Sequence, residues 1–269
     1  MREREQGQST DWFVASGSIV RRVWGDADLV LLVFAGAAAE FALNRAVDWL
    51  FVTGRLPRDP LARLLSTAAY AQRIALGDRA EAARALAAIR AAHAAVERRR
   101  GERIPAWAHR DVLYLLVDYS ERAFAALHRP LTAAEQRELY DVFRRVGAGL
   151  GIGQLPRGYE EWRADRERHM ARDLAVSDHT AALYAAYRRH LGPSRFALLR
   201  QVQGALAPDR VRDLLRLPGR PWIGHLLPVY PALTRAGLRP LIRRVLVPAA
   251  HRDAVRSLDR PDPRRAPAA

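Results

Sequence analysis

Apolar residues recur at steps of three and four along almost the whole chain, and the strict alternation of a half-buried strand is nearly absent. The spacing predicts helices near residues 16–24, 27–52, 60–76, 79–100, 109–127, 133–149, 158–175, 178–191, 194–206, 209–216 and 236–247. Several starts carry capping chemistry. Asp59 precedes a first-turn proline, Pro60, while Asp78 with Glu81 and Thr132 with Glu135 resemble capping boxes. Gly54, Gly77, Gly101 and Gly192 mark stops, where glycine can take the left-handed C-cap conformation. The pattern therefore predicts an all-α fold with short connections, broken only by a Pro/Gly-rich passage from Pro218 to Pro231.

That passage sets the expected organisation. Residues 1–15 form an N-terminal arm, 16–217 a single multi-helix domain, 218–258 a basic helical segment, and 259–269 a disordered tail rich in Pro, Arg and Ala. No internal repeat is visible. The most apolar stretch, Ala27 to Val52, is long enough to span a bilayer, but Asp28, Glu40, Asn44, Arg45 and Asp48 would be expensive in lipid. It reads as a buried core helix. The charged start of the chain is not followed by an apolar run, so it does not read as a secretory signal and the cytoplasm is the expected compartment.

Composition narrows the chemistry. The 269 residues are 49% hydrophobic, enough for a substantial core, and contain no cysteine. Disulfides, thiolate metal sites, iron–sulfur clusters, cysteine nucleophiles and covalent haem attachment through Cys-x-x-Cys-His are thereby excluded, so His, carboxylate or backbone must hold any cofactor. The net charge is +15, and all 44 basic residues are Arg. With abundant Ala, this is the signature of a GC-rich genome. The charge is uneven, with 17 Arg against 5 Asp from Arg188 onward. Such a tail suits an anionic membrane, whereas nucleic acid is a weaker reading because no nucleic-acid-binding motif accompanies the charge.

Helix 79–100 presents one apolar stripe, Leu86, Ile89, His93 and Val96, with His93 where a core hydrophobe belongs. Two readings stand: a hydrogen-bonded core histidine, or an axial iron ligand whose neutral imidazole occupies an apolar setting. The other seven histidines lie beside Arg, Asp, Pro or Gly, mostly at termini or on polar faces. Helix 60–76 carries Arg63, Thr67 and Tyr70 in a polar line, either a solvated face or the wall of a ligand pocket. Glu40, Asn44 and Asp48 repeat that pattern on helix 27–52. A carboxylate there could act as a general base, but pairing of Glu40 or Asp48 with an Arg from a neighbouring helix is the stronger reading. Asp118 and Arg122 read as a structural i, i+4 pair. The chain lacks Gly-x-Ser-x-Gly, the phosphate-binding loop, a dinucleotide fingerprint and His-Glu-x-x-His, and its Gly147–Gly153 run follows a helix and reads as a C-cap loop.

Five blocks, Val33 to Leu43 with Thr53-Gly54-Arg55-Leu56, Asp59 to Thr67, Ile89 to His93, Asp111 to Tyr114, and Arg129 to Thr132, together resemble the MpaB/rubber-oxygenase (latex-clearing-protein) catalytic domain over roughly residues 18–215. The resemblance implies an all-α, haem-binding-type domain, here with a basic C-terminal extension. It implies haem b, dioxygen as co-substrate, and oxidative cleavage of a C=C bond in an isoprenoid or other hydrophobic substrate. By position, His93 falls on the family's proximal iron ligand. Arg63 and Thr67 fall on its distal Arg-x-x-x-Thr element, with Tyr70 one turn further along the same cofactor wall. Ser66 stands where latex-clearing proteins carry a Lys, which removes a distal cation. An apolar channel between helices 27–52 and 109–127 is expected to receive the substrate. Between Trp222 and Leu258, apolar residues interleaved with Arg235, Arg239, Arg243 and Arg244 suit either a peripheral contact with an anionic membrane or arginines snorkelling over an ordinary helix. The rival readings are a non-catalytic haem or lipid carrier and a haem-free basic interaction protein.

Overall fold

A computed structural model of the protein describes residues 11–45 and 59–259. Its organising element is the helix Ala27–Phe41, which begins at the Asp26 cap and buries residues on every side, from Leu29 and Val33 to Ala37 and Glu40. Including it, the described residues form twelve α-helices: α1 (Ile19–Trp24), α2 (Ala27–Phe41), α3 (Pro60–Leu76), α4 (Arg79–Arg100), α5 (Ala106–Leu127), α6 (Ala133–Gly149), α7 (Tyr159–Asp173), α8 (Asp178–Leu206), α9 (Asp209–Leu215), α10 (Tyr230–Arg235), α11 (Arg239–Leu246) and α12 (Arg252–Arg256). The fold is all-α: among the described residues, extended pairing amounts to isolated bridges, Trp12 with Asp78 and Asn44 with Leu174.

The most extensive packing joins α2 to α5. Gly36 makes it possible, because a Cβ there would lie 2.4 Å from Tyr119 Cδ1. Around this pair, α1, α3 and α8 close against α2, while α6 and α7 close against α5. Aromatic residues fill the joints. Trp24 meets Phe34 edge-on at 6.0 Å, and Trp162 lies 5.7 Å from Tyr140 and 5.2 Å from Tyr159.

The caps follow the sequence. Asp59 accepts from Ala62 N, Asp78 from Glu81 N, and Thr132 and Glu135 form a reciprocal capping box. Gly101 takes the left-handed conformation at φ 78°. Gly192, at φ 75°, breaks α8 just before Pro193, where two separate helices are predicted. Gly77 departs from expectation, since it ends α3 in extended backbone at φ −78°.

Helix α2 is shorter than the predicted 27–52. It ends at Phe41, and tertiary partners claim the carbonyls just beyond it: Thr180 Oγ1 donates to Ala42 O at 2.7 Å and Ala175 N to Leu43 O at 2.9 Å. Residues 46–52 of that predicted helix, with Asp48, and the Gly54 stop lie outside the described residues.

Residues 222–258 form short helical pieces laid across α2, α3 and α8. Leu227, Val247, Val255 and Leu258 are buried, and Gln72 Nε2 donates to Leu258 O at 2.9 Å. Arg243 Nε reaches the buried carboxylate of Asp28 at 2.6 Å, and Arg239 Nε reaches it at 3.2 Å. Two arginine hooks thus tie the segment to the first turn of α2. Among the described residues no helix is long and apolar enough to cross a membrane.

Candidate functional site

Helices α3 and α4 lie side by side, joined by a short turn at Gly77 and Asp78. The predicted stripe of α4 is real: Ala82, Ala85 and Leu86 are buried, and Ile89, His93 and Val96 continue it, half-buried. His93 meets His109 of α5, ring centroids 4.5 Å apart and planes inclined by 35°. Burial first, then the neighbouring His109 and the charge of Arg63, lower the His93 pKa to about 4, against a smaller opposing effect of Glu97. His109 is also shifted down by burial, with Glu97 again opposing. Both rings are therefore neutral imidazoles at neutral pH. His109 Nε2 is buried without a hydrogen-bond partner.

Arg63 and Thr67 are exposed on α3, and Tyr70 is half-buried one turn on. Thr67 Oγ1 donates to Arg63 O at 3.0 Å, and Ser66 Oγ donates to the same oxygen at 2.8 Å. Tyr70 packs into the α3–α4 seam with Ile74, Ala82 and Ile89, and the Arg73 guanidinium lies 5.7 Å from its ring centroid. The fold thus places Arg63 within electrostatic reach of His93 and Tyr70 beside the same helix. Thr67 turns its hydroxyl to the Arg63 carbonyl one turn back along α3. His109 is the partner that sequence reading missed; its position beside Arg110 and Asp111 looks polar, and only the packing of α5 on α4 reveals the ring pair.

A second polar constellation lies deep between α2, α5 and α7. Arg166 donates to both oxygens of Glu40, Nη1 to Oε1 at 2.6 Å and Nη2 to Oε2 at 2.5 Å, and Nη2 also reaches Asp118 Oδ2 at 3.0 Å. Arg122 Nε holds the other Asp118 oxygen at 2.7 Å. Burial alone would raise the Asp118 pKa, but Arg166 and Arg122 overcome it and hold the carboxyl below its ordinary value. This is the structural pairing expected for Glu40, and it removes Glu40 as a candidate free base.

Beside this triad, Asn44 Nδ2 donates to Asp111 Oδ2 at 2.9 Å. His169 Nδ1 lies 2.5 Å from Asp111 Oδ1 and 2.9 Å from Asp173 Oδ2. His169, one of the seven histidines expected to lie mostly at termini or on polar faces, is 3% exposed. The signal was present: Tyr159, Trp162, Arg166, His169 and Asp173 follow at steps of three and four, all buried, but most of that stripe is polar. Asp111, His169 and Asp173 offer ligand atoms within 4.8 Å of one another, as do the less buried Asp59, His190 and His251. Arg172 closes the first group from outside, donating to both oxygens of Asp173, and a cavity of about 560 Å³ bounded by Trp107, Arg110 and Gln154 reaches Arg172 and Asp173.

The apolar cavity, about 420 Å³, does not lie between α2 and α5 as expected. The close approach at Gly36 fills that seam. Instead it opens between α2, α3 and α8, with Leu61, Leu64, Leu65 and Ala68 of α3 along one wall and residues 223–255 as its cover. Helix α3 is therefore a partition, apolar toward the cavity and polar at Arg63 and Thr67.

The described residues thus set neutral imidazoles in a half-buried helical seam, with an apolar cavity one helix away. The chain belongs to the family described as ER-bound oxygenase mpaB/B'/Rubber oxygenase, catalytic domain, whose model matches residues 21–244. Family membership implies an oxygenase, hence an oxidoreductase. No curated protein and no solved structure matches the chain.

Proposed function

We propose that the protein is a haem b oxygenase that acts with dioxygen on a hydrophobic, alkene-containing substrate of isoprenoid kind, cleaving its double bond. The observation that carries this reading is the imidazole of His93, kept unprotonated in the α3–α4–α5 seam. A metal ligand must offer a nitrogen lone pair rather than a proton, and desolvation together with the Arg63 charge secures that state at neutral pH.

The donor set fits the group. His93 is the nitrogen ligand; His109, its ring inclined against it, restricts its rotation; Arg63 supplies a cation for an anionic propionate or a polar oxygen. Thr67 adds a hydroxyl on the same turn of α3, and Tyr70 closes the seam. When bound, haem supplies the redox-active iron at which dioxygen becomes reactive toward a double bond. The chain holds the ligand nitrogen, places a cation near it, and stores the apolar substrate in the neighbouring cavity away from water.

One observation favours a second ligand assignment. His109 Nε2 is a buried nitrogen with no partner, so His109 is the alternative iron ligand in the same seam.

The test is the visible absorption spectrum of protein expressed with ample haem, for wild type, His93→Ala and His109→Ala. A stoichiometric Soret band that His93→Ala abolishes or strongly shifts, and His109→Ala only perturbs, is the expected result. Loss confined to His109→Ala moves the ligand to the second histidine. A colourless wild type that cannot be reconstituted overturns the haem reading.

A further inference from the structure

Among the described residues, nine large hydrophobic side chains are exposed, and eight of them fall between Trp222 and Leu246; the ninth is Val176. Trp222 is 53% exposed, and Leu241 and Val245 on α11 are 60% exposed each. Scattered exposed leucines are ordinary, but a cluster confined to one segment marks a face that meets something apolar.

Charge identifies the partner. Residues 214–252 contain seven Arg and no Asp or Glu. Within α11 the arginines divide: Arg243 turns inward to Asp28 and Asp259, and Arg239 reaches Asp28, while Arg244 is exposed, as is Arg235 at the end of α10. The inward pair fixes the helix so that Leu241 and Val245 point away from the body. An apolar face edged by exposed cations matches the interface of an anionic bilayer, where side chains such as these enter the acyl boundary and arginine stays among the phosphates.

Cavity and face are continuous. Leu226, Leu233 and Leu246 belong to both, exposed on one side and lining the apolar cavity on the other. We infer that the face formed by residues 222–246 seats on an anionic lipid bilayer and turns the mouth of the apolar cavity toward the acyl chains. An apolar molecule dissolved in the membrane then reaches the cavity without crossing water. The inference rests on the oxygenase reading only for what the cavity does with that molecule.

The experiment uses the full chain and needs neither cofactor nor turnover, so a colourless protein that binds lipid would sink the oxygenase reading and leave this one standing. Co-sedimentation is measured with vesicles of phosphatidylcholine alone and with a large fraction of phosphatidylglycerol, at low and high salt. Strong binding only to the anionic vesicles, weakened by salt, is expected, with a blue shift of tryptophan emission that Trp222→Phe removes. Leu241→Glu with Val245→Glu should weaken binding at least about tenfold, and Arg235→Gln or Arg244→Gln by about fivefold each. All four positions are exposed, and an unchanged melting temperature confirms that the variants fold. Absence of vesicle binding, binding untouched by the double variant, tighter binding to duplex DNA than to anionic vesicles, or a dimer that the double variant dissociates would each overturn the proposal.

Discussion

Arg166 shows how one residue organises the interior. It is 4% exposed and neutralises Glu40 and Asp118 together, with Arg122 closing the far side of Asp118. Breaking a buried pair leaves an uncompensated charge, so Arg166→Met, which strands Glu40 and leaves Asp118 to Arg122 alone, should cost about 3–5 kcal/mol in chemical denaturation. Glu121 carries a separate, pH-dependent effect. Burial raises its pKa to about 7, against the hydrogen bond it accepts from Tyr159. The folded state therefore holds this proton more tightly than the unfolded chain. The associated stability is complete below the unfolded value of 4.5 and lost as pH rises through about 7. Glu121→Gln should melt higher than wild type at pH 8, with the gap closing near pH 5. His93 acts in the opposite direction, because its pKa is lowered from 6.5 to about 4 and its contribution fades as pH falls across that interval. At this scale the sequence was half legible. His93 stands out because its neighbours on the stripe are apolar, whereas Arg166, His169 and Asp173 share a stripe so polar that it reads as solvated.

Helices are the level at which the chain is most legible. Long amphipathic segments with side-chain caps, such as α3, α4 and α6, fall at the predicted residues, because periodicity and capping are local properties. Helix α2 is misjudged at its C-terminus, since Thr180 and Ala175, residues distant in sequence, claim the carbonyls of Ala42 and Leu43 just past its end. Of the short pieces after Leu217, α11 falls within the predicted 236–247, and the others escape for another reason: with six residues or fewer and prolines at Pro228 and Pro231, they carry too little periodicity. The α2–α5 seam gives the sharpest element-scale prediction. Gly36→Ala sets a methyl against the Tyr119 ring and should lower stability by about 1–3 kcal/mol, read as a shift in the denaturation midpoint.

Across the whole molecule, the C-terminal segment covers apolar residues of α2, α3 and α8 and is held by Gln72 and Asp28. Truncation after Leu217 should uncover Phe34, Leu61 and Leu64, lower the melting temperature, and drive association visible by size-exclusion chromatography. The candidate site was legible at this scale in its α3 and α4 parts, which lie on consecutive helices. The cavity's true position was not, because its walls come from segments more than 150 residues apart, from Val30 to His251. Helix α3, with the cavity on one face and Arg63 and Thr67 on another, has a consequence in thermodynamics. Two compartments that share one rigid wall exchange free energy whenever filling either displaces that wall, and the exchange is reciprocal. If an apolar molecule in the cavity raises the affinity of the seam for its own ligand by some factor, that ligand must raise the cavity's affinity by the same factor.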